Sequence, residues 1–165
     1  VVLENARTDY ALTLNAAAQV HVAHKSNTAI DITTANVQRL QFADTLLALD
    51  TGANQTAGSG YMLYKAAFNR TPDAGGLGYW IRKMDTGMSY SSVAQNFVNS
   101  AEFKTAFGGS NPSVNTLVTK LYNNVLNRTP DAGGLTFWQD KLNTGWSTAD
   151  VLGFFSTQSG CWPMS

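Results

Sequence analysis

The spacing of apolar residues divides this chain into two regimes. Through residues 1–50 apolar and polar positions alternate in short runs. Tyr10, Leu12 and Leu14 fall two apart within Ala6–Leu14, and Val20 and Val22 continue the pattern before a Lys25-Ser26-Asn27 turn. Ile30 and Ile32 alternate again, and Leu40–Phe42 and Leu46–Leu49 form two further runs separated by a turn near Asp44. A two-residue period places one face of a strand against a core. These residues therefore predict four or five short strands forming one small sheet, which needs a partner to bury its apolar face. Residues 51–60, built of Thr, Gly, Ala, Asn, Gln and Ser, read as a linker.

Beyond the linker the period lengthens. Tyr61, Tyr64, Ala67 and Phe68 recur at helical spacing, as do Val114, Leu117, Val118, Leu121, Tyr122 and Val125. Asn111 or Ser110 is placed to cap the latter helix, with Pro112 in its first turn. The fold class expected is α+β: a small antiparallel β-rich part over 1–50, packed on a mainly helical region of two units at 61–108 and 111–160.

The two units are copies. Residues 63–97 align with 121–155 at an offset of 58 without gaps, and 18 of the 35 positions are identical. The shared core is LY....NRTPDAGGL..W, followed by a common Lys, Thr-Gly, Ser, Val and Phe. Each copy reads as helix, tight turn, helix, turn, helix. Asn69 and Asn127 fall where a helix ends and tolerate the left-handed backbone found there. Thr71-Pro72 and Thr129-Pro130 have the form of an N-cap followed by a first-turn proline, which puts Asp73 and Asp131 in the first turn near the positive end of the helix dipole. The Gly75-Gly76 and Gly133-Gly134 pairs cost a helix about 1 kcal/mol per glycine, so a close backbone contact is expected to require them. Thr86-Gly87 and Thr144-Gly145 should end the second helix, and Ser89 and Ser147 should cap the third.

The candidate site residues all lie in this repeated motif: Arg70, Asp73 and Trp80, with Arg128, Asp131 and Trp138. One reading is structural, in which the arginine ties the turn together by pairing with the aspartate or with carbonyls. The other is a small polar site for calcium or a glycan, with the tryptophans stacking on sugar. One carboxylate per repeat makes a calcium site only with help from backbone oxygens. At helical spacing, moreover, a tryptophan is more often core than ligand platform.

Composition narrows the chemistry. Eleven basic and eleven acidic residues cancel, and charged residues make up only 13% of the 165. A nucleic-acid partner is not expected, because phosphate binding needs clustered Lys and Arg. No apolar run approaches the ~20 residues of a membrane span. The one cysteine, Cys161, cannot form an internal disulfide. The two histidines, in HVAH, point to opposite faces of a strand and do not suit a shared metal. No paired carboxylates, HExxH, CxxC or phosphate-cradling loop occurs, so no enzyme and no cofactor is expected. Asn54, Asn69 and Asn127 each open an Asn-X-Thr acceptor pattern, which is short and frequent.

The repeat LY....NRTPDAGGL..W......TG.S resembles the DUF4214 family of helical repeats, common in large bacterial extracellular proteins. The first copy matches through Ser100-Ala101-Glu102-Phe103, whereas the second departs after Phe155. The stretch DITTANVQRLQFADTLLALD resembles the β-strand segment that follows calcium-binding RTX repeats, although the RTX nonapeptide itself does not occur. The resemblance implies a secreted, type I exported chain, extracellular in location. It fits a non-catalytic module that binds or attaches to cell-surface glycan or a partner protein. The alternative is a structural or export module at the end of a larger RTX-type protein, with no ligand of its own.

Overall fold

The computed structural model describes residues 1–15, 19–52 and 54–157. Ala53, the expected end of the second repeat at 158–160 and Cys161 lie outside the described residues. The fold is α+β, and the chain divides into two compact units, Val1–Thr51 and Gly52–Ser165.

Among its described residues the first unit is all β, apart from one tight turn of helix at Arg7–Asp9. Strands β1 (Tyr10–Leu14), β2 (Val20–His24) and β3 (Asp31–Thr34) form an antiparallel sheet in that order, with Val22 opposite both Leu12 and Ile32. Strands β4 (Arg39–Gln41) and β5 (Leu46–Ala48) form a separate hairpin, turning near Asp44 as the apolar spacing predicts. One continuous sheet was expected and two are found. Between β3 and β4 the backbone passes through Asn36 at φ 58°, a left-handed residue that turns the chain out of register. Leu3, Tyr10, Val20, Val22, Leu40 and Phe42 form the core of this unit. Beside that core Arg39 pairs with Asp50, whose side chain is only 5% exposed. His21 and His24 take different partners: His21 Nε2 lies 2.6 Å from Asp31, and the His24 ring packs edge-on to Tyr10.

Among the described residues the second unit holds seven helices: α1 (Thr56–Phe68), α2 (Ala74–Asp85), α3 (Tyr90–Asn99), α4 (Ala101–Phe107), α5 (Val114–Leu121), α6 (Ala132–Asn143) and α7 (Thr148–Thr157). The last turns of α5 widen into a π-type coil over Tyr122–Leu126. Helices α1–α3 are the first copy of the repeat, and α5–α7 the second. One core runs through both, from Leu63 and Phe97 to Trp138 and Phe155. Helix α7 packs on α1 and α3, and Asn124 donates to the Ala66 carbonyl at 2.8 Å, so the copies are interlocked.

Two expectations about helix starts are corrected. The linker 51–60 ends early: Thr56 opens α1, and Ala57, Gly58, Ser59 and Gly60 are buried. Small residues here let helices approach closely; a Cβ on Gly60 would lie 3.1 Å from Leu77. A linker and a close helix crossing share one composition, and packing decides between them. The second correction concerns proline. Helices α2 and α6 are capped by Asp73 and Asp131, not by Thr71 and Thr129, and α5 is capped by Ser113, not by Asn111 or Ser110. In all three the proline stands just before the cap, where its fixed φ extends the incoming chain. The C-terminal expectations agree with the structure: Asn69 and Asn127 are left-handed at φ 51° and 52°, and Gly87 and Gly145 follow the caps of α2 and α6 at φ 100° and 104°.

Candidate functional site

The repeated motif builds one joint between two helices, and much of the shared LY....NRTPDAGGL..W core has a place in it. In the first copy the chain leaves α1 through left-handed Asn69, runs extended over Thr71-Pro72, and enters α2 at Asp73. The Asp73 carboxylate accepts the Gly76 N–H at 2.7 Å. That bond is the main reason its pKa lies below the ordinary carboxylate value. Gly76 is where the helices touch: a Cβ there would sit 2.6 Å from the Tyr64 hydroxyl of α1. Burial raises the Tyr64 pKa, and the neighbouring Trp80 side chain offsets part of that rise. Arg70 closes the joint from outside. Its guanidinium lies 5.1 Å from the Tyr64 ring and 5.5 Å from Phe68, and it forks onto Glu102 of α4 at 2.8 and 3.0 Å.

The second copy repeats the plan. Asp131 accepts the Gly134 N–H at 2.7 Å, a Cβ on Gly134 would lie 2.7 Å from the Tyr122 hydroxyl, and Arg128 lies 4.9 Å from the Tyr122 ring. The expected Arg70–Asp73 ion pair is not what forms; Arg70 pairs with Glu102, thirty-two residues on, while Asp73 turns to the helix N-terminus. The six candidate residues thus fall into two joints, one per copy. Tyr64, Tyr122 and Glu102 belong with them and were not singled out from sequence. The tyrosines were visible within the shared LY, while nothing local marks Glu102.

The tryptophans face inward. Trp138 is 0% exposed, ringed by Phe137, Trp146, Phe154 and Phe155, and Trp80 is half-buried against Phe97. The neighbouring ring in each copy is the one that meets solvent. Tyr79 is 46% exposed and Phe137 45%, with the ammonium of Lys83 or Lys141 lying 5.4 or 5.3 Å from the ring centre. No group of three or more His, Cys, Asp or Glu side chains gathers among the described residues.

The family model described as a domain of unknown function, DUF4214, matches twice, over residues 60–107 and 94–159. The chain belongs to the DUF4214 family. The two matches cover the helical unit and overlap across the second half of α3 and α4, the segment carrying Glu102. In the first copy the joint is thus completed by a side chain from α4, within the first match. No curated protein and no solved structure is detectably similar to this chain. No helix is long and apolar enough to cross a membrane among the described residues.

Two expected results test the joint. Gly76→Ala should destabilise the helical unit by about 1–3 kcal/mol, because Tyr64 is packed and its hydroxyl cannot yield freely. Adding Tyr64→Phe, which removes the clashing oxygen, should recover most of that loss in urea titrations. Asp73→Ala should lower the melting temperature while leaving any ligand affinity nearly unchanged. With its folded pKa depressed, Asp73 stabilises the fold above its unfolded pKa, and the contribution fades as pH falls through the folded value. The gap between wild type and Asp73→Ala should accordingly close in acid, and a gap constant with pH would count against the cap.

Proposed function

We propose that this chain is a non-catalytic extracellular module that attaches its parent protein to cell-surface glycan or to a partner protein. The observation that carries this reading is the pair of solvent-facing rings, Tyr79 and Phe137, at the same position of both copies. An exposed ring offers a flat apolar face for stacking at small conformational cost, and two such rings favour ligands with repeated units. A balanced, sparsely charged surface suits uncharged polymers better than polyanions. Export by a type I route, in the company of RTX repeats, belongs to the same proposal and rests on the likeness of residues 31–50 to the segment that follows such repeats.

The second reading, a structural or export module with no ligand, draws on the joints: Asp73, Asp131 and Arg70 are spent on helix caps and an internal ion pair. Binding of the labelled chain to a broad glycan array, with calcium and with chelator, separates the two. Selective binding is the expected result, and loss in chelator would add calcium to the site. A blank array, with no partner protein recovered by crosslinking at the cell surface, would leave the structural module standing.

A further inference from the structure

Helices α3 and α7 lie against one another along an open groove of about 530 Å³, and its lining is unlike that of the joints. Helix α7 and the residue before its cap supply Trp146, Asp150, Gly153 and Phe154; the start of α3 supplies Tyr90 and Ser91. The internal repeat makes this face informative. The framework of the third helix is identical in the two copies, with Ser147, Val151 and Phe155 standing where the first copy has Ser89, Val93 and Phe97. The groove positions are all changed. Trp146, Ala149, Asp150, Gly153 and Phe154 replace Met88, Ser91, Ser92, Gln95 and Asn96. The second copy keeps the helix and has traded a flexible, polar face for two aromatic rings, a carboxylate and a gap.

Each change has a physical result. Gly153 opens the floor: a Cβ there would sit at ordinary contact distance, 3.7 Å from the Tyr90 ring, so a longer side chain would extend into the groove. Trp146 and Phe154 pack edge to face, their ring centres 6.0 Å apart at 65°, and together form one apolar side of the groove. Asp150 is fixed by a reciprocal cap. Its Oδ2 accepts from the Ser147 N–H and hydroxyl at 2.8 and 2.7 Å, while Ser147 Oγ accepts the Asp150 N–H at 3.1 Å. All these bonds use Oδ2 or the backbone, which leaves Oδ1 outside the cap. Asp150 is the one ionisable carboxylate among the described residues of the lining, and Lys141 brings an ammonium 5.3 Å from the Trp146 ring.

We propose that this groove binds a neutral pyranose unit of a polysaccharide, its C–H face stacked on Trp146 and its hydroxyls donating to Asp150. The inference rests on the attachment reading and supplies it with a site. Rings and a prepositioned acceptor in a mostly apolar cleft are the mix that fixes a small polar ligand in orientation. Sugar C–H groups meet the negative faces of aromatic rings, and a sugar hydroxyl gains most from a charged acceptor. An open groove, in place of a closed pocket, lets the rest of a polymer enter and leave.

The test titrates the whole chain with linear hexasaccharides of glucose, mannose and N-acetylglucosamine, read by tryptophan fluorescence and calorimetry. Two variants accompany it. Gly153→Leu fills the floor at a position where helix propensity favours the change, and Trp146→Phe keeps a ring but shrinks the stacking face. Binding by wild type, weakened about tenfold or more by Gly153→Leu and less by Trp146→Phe, with melting temperatures preserved, is the expected result. Undiminished binding in Gly153→Leu overturns the groove and leaves the attachment reading intact. If no hexasaccharide binds and the glycan array is blank, the site falls, and with no partner protein recovered by crosslinking the attachment reading falls with it. A hydrophobic dye displaced by Gly153→Leu but by no sugar would reassign the groove to an apolar ligand and overturn the proposal.

Discussion

Trp138→Ala should cost the helical unit about 3–5 kcal/mol, while Trp80→Ala at the equivalent position should cost distinctly less. Truncating a fully buried aromatic forfeits its transfer free energy and leaves a cavity that rigid neighbours close only in part. Trp138 has no exposed surface, and the four rings around it have centres within about 6 Å of its own. Trp80, half-buried, meets Phe97 and Tyr79. A loss of this size is comparable to the whole stability of many small domains. Urea titrations followed by circular dichroism measure both variants on one scale. Equal losses would mean that the two copies share the load evenly, contrary to the burial difference.

The second large effect belongs to the β unit. Asp50→Ala should destabilise it by about 3 kcal/mol or more, because Arg39, with only 17% of its side chain exposed, loses the carboxylate opposite its guanidinium. Replacing both residues by apolar ones, Arg39→Met with Asp50→Leu, should cost much less, since neither variant chain then holds a lone buried charge. All the tryptophans lie beyond residue 51, so their fluorescence reports on the helical unit alone. Hydrogen exchange at β1, β2 and β4 is the direct readout for the β unit. A single variant as mild as the double one would show that water already solvates the pair.

The repeat was the most legible feature of the chain, because eighteen identities at a fixed offset need no tertiary information. Turns that depend on local backbone chemistry were legible too: left-handed Asn69 and Asn127, the glycines after α2 and α6, and the serine caps of α3 and α7. Three features were not. Thr-Pro resembles a cap with its first-turn proline, yet the side chain that reaches the free N–H belongs to the next residue, Asp73 or Asp131. Residues 56–60 have a linker's composition because helices that approach closely also need small side chains. The partner of Arg70 lies on α4, and no local pattern discloses a contact across that span. The aromatic pairs teach the same lesson. Tyr79-Trp80 and Phe137-Trp138 are adjacent on a helix and must point about 100° apart, but only the packed structure shows which ring is turned inward.

The hydroxyl of Tyr90 has a consequence for how this unit travels between proteins. It bonds Ser156, in the last turn of α7, and reaches the Ser59 carbonyl, in the first turn of α1, at 3.5 Å. Burial there pushes the Tyr90 pKa up to about 12. The first turn of α1 and the last described turn of α7 thus meet at one spot, clasped by a single side chain from the start of α3. Helices that open and close a bundle side by side let it sit in a surface loop of a host with little rearrangement, as a cassette does.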